Sequence, residues 1–85
     1  MNWERITSLD TPFATDGREF QVVVEGEQRR DGTWSGRVVF VGPGALRRTG
    51  QETSQPNRRA LRYWATGLER VYLDGAFARS KESQS

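Results

Sequence analysis

The chain has 85 residues, 34% of them apolar and 28% charged, with a formal net charge of +2 and neither cysteine nor histidine. That composition excludes disulfide scaffolds, thiolate and imidazole metal sites, Cys- or His-dependent nucleophilic catalysis and histidine pH switches. The nine aromatic residues are enough to fill the core of one small domain.

The longest apolar run, Val38 to Val41, is far short of the ~20 residues of a membrane span. The opening Met1-Asn2-Trp3-Glu4-Arg5 has no secretory pattern, so the expectation is a cytoplasmic protein with no membrane partner. The basic residues are twelve Arg and one Lys, a ratio that the codon usage of a GC-rich genome also produces. Charge is unevenly placed. Residues 1–27 hold two Arg against six acids, whereas residues 28–63 hold eight Arg against Asp31 and Glu52. The expected molecule is dipolar, with one basic side.

In chain order, residues 3–8 suit an additional short edge strand, and Thr11 to Gly17 reads as a loop turning at Asp16-Gly17. Glu19 to Gln28 and Thr33 to Val41 form the arms of a β-hairpin. A two-residue turn would split its large apolar residues between two faces. A three-residue loop, Arg30-Asp31-Gly32 with Gly32 left-handed, pairs Val24 with Val38 and Val22 with Phe40. It gathers Phe20, Val22, Val24, Trp34, Val38 and Phe40 on one face and sets Glu25 opposite Arg37. After the Gly42-Pro43-Gly44 turn, Ala45 to Thr49 suits a third strand. Ser54 then reads as a helix cap, with Pro56 in the first turn.

Leu61, Trp64, Ala65, Leu68, Val71 and Tyr72 follow the helical spacing that would cover the sheet. Leu73 and Phe77 fall on the other side of a straight helix. An exit at Asp74-Gly75 would fold Phe77 back, and a continuous helix would expose it with Tyr63 and Leu73. The predicted fold is α+β, in the order β-β-β-α. A three-stranded antiparallel meander packs on one long C-terminal helix, with residues 1–80 as one domain and 81–85 as a disordered tail.

The candidate chemistry is sparse. Glu25 and Glu27 share a strand face, but no base serves Ser8, Ser35 or Ser54, and no calcium loop is present. No enzyme activity, cofactor or metal is expected. The segment Gly42 to Gly50 is glycine-rich after a strand but lacks the helix that a phosphate loop opens. Two candidate surfaces remain. Val23, Val39, Val41, Tyr63, Leu73 and Phe77 are apolar residues available for a protein partner or a homodimer. Arg29, Arg30, Arg47, Arg48, Arg58, Arg59 and Arg62 are candidates for nucleic acid, if they converge.

From Phe20 to Tyr72, the order strand, Asp31-Gly32-Thr33-Trp34, strand, Gly-Pro-Gly turn, short strand and helix resembles HicB-type antitoxins. That resemblance implies a βββα core that neutralises a small ribonuclease toxin. The same order resembles a double-stranded-RNA-binding domain lacking its first helix, with Asn57-Arg58-Arg59-Ala60-Leu61 in place of the basic helix start. The expectation is a small non-enzymatic protein-binding or regulatory module, with nucleic-acid binding through the Arg-rich face as the alternative.

Overall fold

The computed structural model describes residues 2–82. Its centre is the hairpin of β3 (Arg18–Gln28) and β4 (Trp34–Gly42), paired from Gln21↔Val41 to Gln28↔Trp34. The register is the expected one, with Val22 opposite Phe40, Val24 opposite Val38 and Glu25 opposite Arg37. Arg29 N–H donates to Thr33 O at 2.8 Å, and Gly32 N–H donates to Arg29 O at 2.9 Å, closing a three-residue loop. Gly32 has φ +90°, a conformation that side chains with a Cβ resist. Asp31 Oδ1 accepts from the Thr33 hydroxyl at 2.6 Å and the Thr33 N–H at 2.9 Å. These bonds hold the Asp31 carboxyl below its ordinary pKa.

The rest of the sheet corrects the three-stranded meander, because the described residues form seven antiparallel strands and two short helices. Two short strands lie in line along each outer edge of the hairpin. β1 (Glu4–Ser8) pairs with residues 23–26 of β3, and β2 (Phe13–Thr15) pairs with residues 18–20. β5 (Ala45–Arg48) pairs with residues 39–42 of β4, and β6 (Thr53–Gln55) pairs with residues 34–36. Between the last two, the Thr49 hydroxyl accepts from Val38 N–H at 3.0 Å and continues the ladder. β2 occupies what reads as loop. Asp16 (φ 52°) and Gly17 (φ 74°) make a tight left-handed turn into β3. The residues expected to form a disordered tail begin as β7 (Lys81–Glu82), paired with β5; residues 83–85 lie outside the described residues.

Helices α1 (Arg58–Thr66) and α2 (Arg70–Arg79) replace the single long helix. The expected cap, Ser54, is taken up in β6. Asn57 caps α1 instead, its Oδ1 accepting from Ala60 N–H at 2.8 Å. Gly67 ends α1, and Glu69 is extended (φ −113°, ψ 169°) before α2 begins. Asp74 and Gly75, expected to be the exit, lie inside α2. The break changes which residues face the sheet. A straight helix would bury Val71 and leave Leu73 and Phe77 outside. Here Val71 is 82% exposed, Leu73 and Ala76 are buried, and the Phe77 ring lies 5.0–5.4 Å from those of Phe13, Phe20 and Phe40. Four rings packed tilted and edge-on outweigh one misplaced valine.

α1 is seated differently. Gly26 and Gly36 face each other across the hairpin on the helix side. A Cβ on either would stand 2.5 Å from a Leu61 methyl. The pair is therefore a notch that admits Leu61, which is 0% exposed and has nowhere to retreat. Ile6, beside a bulge in β1, closes the notch from the edge and packs with Val24, Leu61 and Ala65.

Gly36→Ala is expected to lower stability by about 1–3 kcal/mol through overpacking, and Leu61→Ala by about 2–5 kcal/mol through a cavity. The double variant should lose less than the sum, because the smaller residue 61 makes room for the new methyl. Urea denaturation measures all three. Additive losses would mean that the glycines do not act through Leu61.

Candidate nucleic-acid interface

The paired strands define one end of the sheet, the loop end, where β3 turns into β4. β6 runs toward this end, since Gln55 is opposite Trp34, which is opposite Gln28. The chain leaves β6 there and starts α1 at once. Glu4, opposite Gly26, begins β1 at the same end. Two segments distant in sequence, residues 29–30 and the start of α1, are thereby placed at the same end of the sheet.

Arg30 is exposed in the loop, and Arg59 and Arg62 are exposed on α1. Among the described residues, none of the three has an acidic partner. Arg29 lies back along the sheet face away from the helices. Its Nη1 donates to Ser35 Oγ at 3.0 Å and to Gln51 Oε1 at 3.4 Å, both neutral acceptors. Arg58 is paired, its Nε and Nη2 at 3.1 and 3.0 Å from Glu4 Oε2, with both side chains about half exposed.

The remaining doublet does not join them. Neighbours on a strand point to opposite faces, so Arg47 and Arg48 part company. Arg47 faces the helices, donating to Ser80 Oγ and Ser80 O at 2.9 Å each, with its Cζ 4.7 Å from the Phe77 ring centre. It ties β5 to the end of α2. Arg48 faces the other way, opposite Val39 on β4 and Lys81 on β7.

The apolar candidates are mostly consumed by the fold. Val23 and Val39 are 3% exposed, Leu73 is 7% exposed, and Phe77 sits among the phenylalanine rings. The two valines belong to the face without helices. Beside Val39 on that face, Arg37 bonds Glu25 at 2.7 Å and lies 4.1 Å from the Trp3 ring centre. Phe13 packs on the other, helix side with Phe40 and Phe77. Only Val41 and Tyr63 of that set remain exposed.

Two further features escape sequence reading. Glu52, at the start of β6, has an 8% exposed side chain and accepts from the Tyr72 hydroxyl and from Arg79 Nη2, the latter at 2.6 Å. The Tyr72 ring meets that of Trp64 edge-on at 6.0 Å. This cluster buckles α2 to the sheet. Burial works to raise the Glu52 pKa, but hydrogen bonds from Arg79 and Tyr72 outweigh it and hold the carboxyl below its ordinary 4.5. Burial, the hydrogen bond to Glu52 and the carboxylate charge push Tyr72 up to about 12. The second feature is a groove of about 560 Å³ between residues 7–13 and the junction of the two helices. Its arginine, Arg70, is already engaged with Asp74, Ala14 O and the Phe13 ring.

The two family resemblances rest on a three-strand, one-helix order that the structure replaces. No family model, curated protein or solved structure matches the chain.

Because the folded pKa of Glu52 lies below its unfolded value, its contribution is complete above about pH 4.5 and is lost as pH falls through the folded pKa. The Tyr72 contribution is complete below its ordinary value of 10 and is lost as pH rises toward about 12. Glu52→Ala is expected to cost about 1–3 kcal/mol at neutral pH. Glu52→Gln should also flatten the acid limb of the stability-pH curve, measured by denaturation from pH 3 to 7. An unchanged acid limb would show that another group drives it.

Proposed function

We propose that this chain is a non-enzymatic nucleic-acid-binding module that grips phosphate backbone at the loop end. The observation that carries the reading is the trio Arg30, Arg59 and Arg62, drawn from two distant segments and left without acidic partners among the described residues. Arg29, held by neutral acceptors, and the half-exposed Arg58 extend the same end.

Energetics support it. α1 carries Arg58 and Arg59 in its first turn and no acid there; Glu4 compensates Arg58, and Arg59 faces the positive end of the helix dipole. That placement costs about 0.3–1 kcal/mol. Arg59 and Arg62, three apart, add like-charge repulsion of about 0.2–0.5 kcal/mol. A phosphate ester chain lying on this end would offset both, since it supplies the missing negative charge to a guanidinium already exposed. The protein-partner reading has less to stand on, because four of its six apolar residues are packed inside.

Arg59→Glu separates function from stability, since the side chain touches nothing that the fold needs. It should weaken binding to labelled oligonucleotides about tenfold or more. It should leave the thermal midpoint unchanged or slightly higher, as an acid in the first helical turn suits the dipole. In wild type, log Kd should rise with log salt by about 0.9 for each Arg engaged on duplex, and about 0.7 on single strands. Absence of binding to any oligonucleotide at low salt would remove the proposal.

A further inference from the structure

The nine aromatic residues are not used alike. Phe13, Phe20, Phe40 and Phe77 form the ring cluster. Trp64 and Tyr72 pair edge-on, Trp34 packs beside Leu61, and Trp3 lies against Arg37. Tyr63 is the exception. It is 78% exposed, and among the described residues its ring has no aromatic or cationic partner and its hydroxyl no hydrogen bond. A tyrosine ring held in water on a rigid helix does nothing for folding.

Its surroundings say what it can do. Residues three and four apart share a helix face. Leu61 and Ala65 point α1 into the core. The opposite face is therefore Arg59, Arg62, Tyr63 and Thr66, all exposed. Tyr63 lies one turn beyond Arg59, and Arg62 lies on the far side of Arg59, so a flat apolar ring stands at the edge of a pair of guanidinium groups that have no acidic partner among the described residues.

We infer that the nucleic acid taken at this end is single-stranded, with one unpaired base stacked on Tyr63 and phosphates to one side of it on Arg59 and Arg62. The inference rests on the nucleic-acid reading above and names its substrate class. A single strand presents base faces as well as phosphates, and base–aromatic stacking is tolerant of sequence. A duplex keeps its base faces inside its own stack and can offer this ring only backbone and groove edges, so the ring adds nothing to duplex binding. The hydroxyl is not needed for stacking. Phenylalanine at position 63 should therefore serve as well as tyrosine, and leucine, apolar but without a π-face, should not.

The test is fluorescence anisotropy of a labelled oligothymidylate of about 20 nucleotides and of its duplex with oligodeoxyadenylate. Each is titrated with wild type, Tyr63→Phe, Tyr63→Leu and Arg59→Glu. Residue 63 is exposed, so all variants should fold, which circular dichroism checks. The expected pattern is tighter binding of the single strand by wild type, retained by Tyr63→Phe. Tyr63→Leu should weaken it about five- to hundredfold without changing duplex binding. If both nucleic acids bind in an Arg59-dependent way but Tyr63→Leu equals wild type, or the duplex binds more tightly, the single-strand inference falls and the phosphate-binding reading stands. If wild type binds neither, both fall together.

Discussion

The seating of Leu61 in the gap between Gly26 and Gly36 is the contact on which the rest of the architecture depends. Two glycines opposite each other in the central hairpin leave the sheet without side chains at one point, and a fully buried leucine fills it. This sets α1 close against the strands near the loop end and fixes its rotation. Once Leu61 and Ala65 face inward, Arg59, Arg62 and Tyr63 have no choice but to face water. The proposed interface is thus the reverse side of a packing solution.

The second half of the helical layer solves a different problem. The phenylalanines of β2, β3 and β4 need a cover at the end of the sheet away from the hairpin loop, and α2 supplies Leu73, Ala76 and Phe77. The three-residue break after Thr66 permits the change of phase. Polar contacts then hold α2 in place, Glu52 to Tyr72 and Arg79 on one side and Arg47 to Ser80 on the other. Glu52 and Arg47 look like surface charges in the sequence, yet each serves as a strap between layers.

The uneven charge along the chain also takes on a structural meaning. Acids of the first 27 residues pair with arginines of the next segment, Glu4 with Arg58 and Glu25 with Arg37, across strands and between helix and sheet. Of the arginines this matching leaves over, Arg29 and Arg47 bond neutral groups within the fold, whereas Arg30, Arg59 and Arg62 lie exposed at one end. A basic end arises there on a molecule whose net charge is only +2.

Local rules determined the central hairpin. Alternation of apolar residues, a glycine tolerant of left-handed φ and the Glu25–Arg37 match all select one register, and each operates between near neighbours. The same holds for the Asp16-Gly17 turn and for Leu61, Trp64 and Ala65 on one face of α1, whereas Leu68 falls in the break between the helices. The short strands β2 and β6 were not legible, because three residues carry too little pattern and form only where a long strand offers a free edge. The helix break was not legible either. Gly67 and Gly75 are equivalent as local signals, and the choice between them depends on which phase brings Phe77 to three rings far away in sequence. The parting of Arg47 from Arg48 follows from strand alternation once residues 45–48 are known to be a strand. The placing of Arg30 at the same end of the sheet as the start of α1, and the exposure of Tyr63 on that helix, required the tertiary structure. Only the pairing of β6 with β4 places the start of α1 beside the hairpin loop.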